Sequence, residues 1–215
     1  MIVRLGALGA LVVAFVALTF AVAAGSLDTF DGQVLHAMSN IWRPSLHPLF
    51  QAIAELGGLE LTSILMLGLV IFLVRRGSVG DAWVLVAFGA AQVLETLYKT
   101  GLYHPGPPRS AAHADGPSIT EVVARAGNSF PSGHMVRAVI VYGLIAFVVR
   151  RLAPSPAARA LAIPIAVVLI LVEAFDRLYL DVHWESDVIG GMLLGAIGLM
   201  SATVWLDRPS RRPEN

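Results

Sequence analysis

The chain has 215 residues, of which 56% are hydrophobic and only 14% are charged. This composition is too apolar for an ordinary soluble domain and predicts an integral membrane protein, and the length suits one domain over residues 1–215. Fifteen basic residues balance fifteen acidic ones, and no basic patch indicates a nucleic-acid partner. Because the chain has no cysteine, disulfides, thiolate metal sites and a cysteine nucleophile are excluded.

The apolar runs predict six membrane-spanning helices. The first run follows Arg4 and is about long enough to cross a bilayer. We favour a retained span over a signal peptide, because the run is longer than a usual signal core. The mixed segment 26–56 suits an amphipathic segment at the membrane surface. The predicted spans are residues 5–24, 58–74, 82–98, 134–149, 160–175 and 188–206.

Arginines near the span ends fall unequally on the two faces of the predicted bundle. Because a basic excess stays in the cytoplasm, both chain termini are predicted inside. The long polar loop 100–130 and the segment around His183 then share the outer side. The arginines of the inner face are Arg4, Arg75, Arg76, Arg150, Arg151, Arg159, Arg208, Arg211 and Arg212.

A histidine with an aspartate four residues later lies between the last two apolar runs. If the chain is helical from His183 onward, Asp187 lies on the same face and orients one ring nitrogen. The other nitrogen is then free to attack or to pass a proton. The alternative is a His–Asp pair that only caps a membrane helix, and this stretch alone favours neither.

The long loop ends in Gly127-Asn-Ser-Phe-Pro-Ser-Gly-His134, where an apolar helix is expected to begin. Ser132, Gly133 and the histidine would present backbone N–H groups and a hydroxyl to the outer side, which is an arrangement that binds anions. The alternative is an ordinary serine helix cap. Arg137, three residues after the histidine, either supports this site from behind or pairs with Glu173.

Three basic side chains are predicted on the same outer surface. Lys99, the one lysine of the chain, follows Glu95 by one turn and either pairs with it or extends to the interface. A proline-rich turn from Tyr103 brings Arg109 back to the membrane surface, and Arg177 lies before the His–Asp pair. Such cations, with helix N–H groups and two imidazoles, match what phosphoryl transfer needs.

These residues resemble the three signatures of the type-2 phosphatidic acid phosphatase (lipid phosphate phosphatase) superfamily, in order and spacing. The resemblance covers roughly residues 95–206. Its second signature, Pro-Ser-Gly-His134, is intact, and the third is intact except that Asp176 replaces the serine that usually precedes Arg177. The first signature has Gly106 where an arginine is expected, and Arg109 is the nearest replacement.

The resemblance implies an all-α, polytopic membrane phosphatase with a six-helix bundle and an outward-facing active site. His183 would be the nucleophile that forms a phosphohistidine, Asp187 would orient it, and His134 would protonate the leaving group and later activate water. No cofactor and no metal are implied, and a site crowded with basic residues would repel a cation. The implied phosphate-binding residues are Lys99, Arg109, Ser132, Gly133 and Arg177.

The function that follows is hydrolysis of a phosphomonoester or diphosphate lipid at the outer face of the cell's inner (plasma) membrane, toward the periplasm or exterior. Polyprenyl diphosphate, phosphatidylglycerol phosphate, phosphatidate and a polyprenyl-linked sugar phosphate all fit. A lipid or sugar phosphotransferase with the same intermediate stays open, as does a non-catalytic phospholipid-binding member, which Gly106 suggests. The sequence gives no oligomeric state.

Overall fold

The computed structural model describes residues 2–76, 79–108 and 128–207. Within these ranges the regular structure is helical, apart from one isolated bridge between Pro105 and Asn128. Short 3-10 helices occupy Pro44–Leu46 and Val79–Trp83. The α-helices are α1 (Ile2–Ala23), α2 (Asp28–Ile41), α3 (His47–Ala54), α4 (Leu59–Arg75), α5 (Val84–Gly101), α6 (Gly133–Leu152), α7 (Pro156–Tyr179) and α8 (Glu185–Leu206).

The six predicted spans coincide, within a few residues, with helices α1, α4, α5, α6, α7 and α8. Four segments of the described chain are long and apolar enough to cross a membrane. Their outward surface carries large apolar side chains, such as Ile64 and Val168, which water would not solvate well but lipid would. The four segments are Val3–Ala23, Pro44–Arg75, Pro156–Tyr179 and Glu185–Leu206.

Helix α6 lies at the centre of the bundle. Side chains on all its faces are buried, among them Met135, Val136 and Ile140, because α6 packs against α4, α5, α7 and α8. Helix α8 also packs against α1 and α5. Helices α7 and α8, which carry Arg177 and Asp187 of the third signature, are therefore both held against α6, which carries His134 of the second.

A glycine lets α8 approach the start of α6 closely. A Cβ atom at Gly191 would collide with the backbone oxygen of Ser132 and would lie 2.7 Å from the Cβ of Met135. Small residues at helix crossings allow two backbones to meet at short range in membrane proteins. Gly191 thereby sets the distance between the α8 backbone and the end of α6 where the predicted anion site lies.

The segment 26–56 forms α2, a 3-10 turn and α3, and a buried side chain of α2 ties it to the bundle. The carboxylate of Asp31 is buried and accepts two hydrogen bonds from Ser186, one from the backbone N–H at 2.9 Å and one from Oγ at 2.7 Å. Since Ser186 is in the first turn of α8, α2 caps the helix that carries Asp187.

Charged residues also join the chain ends at the opposite end of the bundle. Arg4 pairs with Asp207, and Arg151 lies 3.1 Å from the same carboxylate. These contacts bring Arg4 and Arg151, which the charge pattern assigned to one face, to one end of the helices. His183 lies at the other end of α8.

Candidate active site

His183 precedes a helix rather than lying within one. The chain turns sharply at Asp181, which has a left-handed backbone with φ of 52°, and α8 begins only at Glu185. The expected helix from His183 onward is therefore wrong, although the contact it predicted is present: His183 Nδ1 lies 3.3 Å from Asp187 Oδ2. Asp187 reaches back because a carboxylate in the first helical turn accepts a free N–H, here that of Trp184 at 2.9 Å.

The His183 ring is held in a mostly buried environment. Its side chain is 11% exposed and that of Asp187 is fully buried. Burial lowers the pKa of His183 below its ordinary value of 6.5, while the hydrogen bond and charge of Asp187 oppose that shift and the charges of Lys99 and Arg177 add to it. If Nδ1–H donates to the carboxylate, Nε2 keeps its lone pair and is the nucleophilic atom.

The start of α6 joins the second and third signatures. The backbone N–H of Ser132 donates to the carbonyl oxygen of Asp187 at 3.0 Å. This N–H was predicted to be free for an anion, but it already has an acceptor. Ser132 Oγ is buried without a hydrogen-bond partner among the described residues and makes no cap. The first-turn N–H groups of Gly133 and His134 have no intrahelical acceptor, which leaves an anion-binding helix end.

Lys99 forms the pair that its spacing predicted. Its Nζ lies 2.7 Å from Glu95 Oε1, and this carboxylate lies directly against Gly133, where an added Cβ would collide with it. The charges of Lys99 and Arg177 act on the rings of both His134 and His183. These four predicted residues therefore share one site.

Two buried carboxylates hold the guanidinium of Arg177. Its Nε lies 3.0 Å from Asp176 Oδ2 and 3.2 Å from Glu173 Oε1, and its Nη2 also contacts Asp176. Both acids are fully buried, and Arg177 supplies the opposite charge that such groups require. Asp176, which departs from the resembling signature, thus fixes the orientation of a predicted phosphate ligand.

Arg137 supports the site from behind, which is one of its two predicted roles. Its Nη2 lies 3.3 Å from His134 Nδ1, and its Nε donates to the carbonyl of Gly57 at 2.9 Å. Nη1 donates to Gln92 Oε1 at 3.2 Å. The ion pair of Glu173 is made with Arg177 instead.

His104 is a site residue that sequence reasoning missed, since it was treated only as part of the proline-rich turn. Its Nε2 lies 3.4 Å from Asp187 Oδ1. The available signal was a histidine inside the first signature, five residues after Lys99. Arg109 lies outside the described residues.

Comparison with known proteins decides the family. The PAP2 superfamily model matches residues 81–211, more than half of the chain. The chain belongs to the PAP2 superfamily. The predicted superfamily is thereby confirmed, and the matched region includes the described parts of all three signatures.

Two proteins with similar sequences carry the names of phosphatases. Phosphatidylglycerophosphatase B of Bacillus subtilis (strain 168) is 28% identical over 186 residues, which are 85% of this chain and 86% of that protein. An Escherichia coli (strain K12) protein provisionally named an undecaprenyl-diphosphatase is 51% identical over 37 residues, 17% of this chain and 19% of that one.

A solved structure shares the fold. The crystal structure of a transmembrane PAP2-type phosphatidylglycerolphosphate phosphatase from Bacillus subtilis matches with a TM-score of 0.80 at 24% identity, covering 95% of this chain and 98% of that one. This likeness shows that the two proteins share a fold. The apolar helices and the superfamily match make the chain an integral membrane protein of the PAP2 superfamily.

Proposed function

We propose that this PAP2 protein is a metal-independent phosphatase that hydrolyses a membrane lipid phosphate through a phosphohistidine on His183. The observation that carries the proposal is the buried pair of His183 and Asp187, whose Nδ1 and Oδ2 lie 3.3 Å apart beside an uncapped helix start. A ring with one nitrogen held by a carboxylate has the other free for attack.

In the first step, His183 Nε2 forms a bond to phosphorus and the bond from phosphorus to the leaving oxygen breaks. His134 gives its proton to that oxygen. The ring of His183 becomes cationic, and the charge of Asp187 stabilises it. Lys99, Arg177 and the N–H of Gly133 neutralise the phosphoryl oxygens, which carry the spread charge of the transition state.

In the second step, water replaces the imidazole. His134 takes a proton from the water molecule as its oxygen bonds to phosphorus, and the N–P bond to His183 Nε2 breaks. Inorganic phosphate leaves and His183 is neutral again. The buried hydroxyl of Ser132, which lacks a partner among the described residues, supplies a further donor to the phosphoryl group in both steps.

We propose that residues 1–215 form one phosphatase domain with six membrane spans. Its site faces the periplasm or exterior of the inner (plasma) membrane, since the arginine pattern assigns the opposite end to the cytoplasm.

The names of two relatives support phosphatidylglycerol phosphate and a polyprenyl diphosphate as substrates. We propose Arg109 as the phosphate ligand that replaces the arginine missing at position 106, so Arg109→Ala is expected to reduce kcat/KM about ten- to a hundredfold.

A phosphate-release assay on the purified full chain tests this function. The substrates are phosphatidylglycerol phosphate, phosphatidate, a polyprenyl diphosphate and a polyprenyl-linked sugar phosphate, each with and without EDTA. We expect release from at least one lipid, unaffected by EDTA, blocked by vanadate and absent from His183→Ala. Full activity of His183→Ala contradicts the nucleophile, and EDTA loss that one divalent ion reverses contradicts metal independence.

A further inference from the structure

The two oxygens of the Asp187 carboxylate have different surroundings. Oδ2 lies 3.3 Å from His183 Nδ1 and accepts the N–H of Trp184 at 2.9 Å. Oδ1 is buried without an ordinary hydrogen bond among the described residues, and the one ionisable group it faces there is His104, whose Nε2 lies 3.4 Å away. A buried carboxylate oxygen needs a donor, and hydrogen bonds at catalytic groups often tighten only when substrate binds.

The chain around His104 is fixed by several contacts, so its ring is not a loose loop side chain. The backbone N–H of His104 donates to Asn128 Oδ1 at 2.9 Å, and its carbonyl accepts the N–H of Ser129 at 2.8 Å. The ring meets Phe130 edge to face, with centroids 6.3 Å apart. Trp184 Nε1 also donates to the carbonyl of Pro105 at 2.8 Å, which ties this turn to the chain beside Asp187.

We infer that His104 is a positioning residue for the nucleophile, an inference that rests on the proposed function. Nε2–H of His104 donates to Asp187 Oδ1, while Nδ1–H of His183 donates to Oδ2. With a donor on each oxygen, the carboxylate cannot rotate without losing both contacts. The lone pair of His183 Nε2 is thereby kept in one direction, toward phosphorus.

Substitution of His104 tests the inference in the purified full chain. His104→Leu removes the donor at similar size, and His104→Gln keeps an N–H. For a lipid that the wild-type protein hydrolyses, we expect His104→Leu to lower kcat about ten- to a hundredfold with KM within about twofold, and His104→Gln to recover part of the loss. Ser129→Ala is the matched control, because it removes the 3.1 Å bond from Ser129 Oγ to the His104 carbonyl and leaves the ring contact in place.

A double-mutant cycle separates positioning from support of the fold. In an Asp187→Asn background the carboxylate is gone, so His104→Leu is expected to cause no further loss of kcat. Gel filtration and thermal unfolding check that each variant folds; should His104→Leu fail to fold, His104→Gln carries the cycle. Additive losses, a change in KM alone, or full activity of a folded His104→Leu protein overturns the inference. A wild-type protein that releases no phosphate contradicts the proposed function itself, and the inference falls with it.

Discussion

At the scale of single residues, Asp187 connects all three signatures. Its carboxylate contacts His183 and His104, and its backbone carbonyl accepts the N–H of Ser132 at 3.0 Å. A substitution here therefore removes the carboxylate contacts with His183 and His104 together, while the backbone bond to Ser132 can remain. Loss of the Asp187 carboxylate is expected to reduce activity by more than the loss of any one of its contacts would.

The environment of His183 predicts how activity depends on pH. Burial lowers its pKa below 6.5, so the ring stays neutral and nucleophilic in moderately acidic solution. We expect the acid limb of kcat/KM, which reports groups of the free enzyme, to lie below pH 6.5. An acid limb above this value, measured on purified protein with constant ionic strength, would contradict the buried setting of His183.

The same pKa has a consequence for stability. A histidine that binds its proton less readily in the folded state contributes stability above its unfolded pKa of 6.5, and this is lost as the pH falls toward the folded value. His183→Gln has no group that titrates at this position, so it lacks this pH-dependent contribution to stability and is the control. Between neutral pH and moderately acidic pH, the wild-type midpoint of thermal unfolding should therefore fall further than that of His183→Gln.

At the scale of helices, the approach of α8 to α6 predicts a graded response to added methyl groups. Gly191→Ala places Cβ against the backbone oxygen of Ser132, which cannot move without shifting the start of α6, whereas Gly198→Ala meets the end of the Ile140 side chain at 2.8 Å. Overpacking of this kind costs roughly 1–3 kcal/mol. Gly191→Ala should lose both thermal stability and kcat, and Gly198→Ala should lose less of each. Equal behaviour of the two would mean that the Ser132 backbone adjusts freely.

The cap that α2 supplies to α8 gives a second prediction at this scale. Asp31→Ala removes the acceptor of both the N–H and the Oγ of Ser186, and loss of a helix cap costs roughly 1–2 kcal/mol. Asp28→Ala, at an exposed position of the same helix, is the control. Thermal unfolding in detergent is expected to show a loss for Asp31→Ala alone. Matching midpoints for the two variants would show that the cap adds no stability.

At the scale of the whole molecule, the sequence located the helices better than it located their contacts. Apolar runs were enough to place the six long helices, because the need to satisfy backbone groups in lipid leaves helices as the choice for such segments. The signatures also brought Lys99, His134, Arg177 and His183 to one site. The position of His104 inside the first signature marks it as a candidate, but its partner Asp187 was not predictable. Like the cap from Asp31, this contact joins residues distant in the chain and depends on how helices pack.

The proposed orientation is also tested on the whole molecule. Tyr103 is 84% exposed at the end that carries the site, and Ala157 is exposed in the first turn of α7 at the other end. With no native cysteine as background, Tyr103→Cys is expected to react with a membrane-impermeant thiol reagent on spheroplasts, and Ala157→Cys only after lysis. The reverse pattern would place the site in the cytoplasm and change the lipids available to it.

The packing of α1 against α8 has a consequence for biosynthesis. Helix α8 is the main neighbour of α1 but is made after the other described helices, and the segment just before and within α8 supplies His183 and Asp187. Until α8 has been made, α1 therefore lies in the bilayer without its main packing partner, and its apolar side chains contact lipid. A chain that stops before α8 lacks Asp187, so it cannot form the contact between that carboxylate and His183. Under the proposed mechanism, copies that lack α8 are therefore inert toward the phospholipids that surround them.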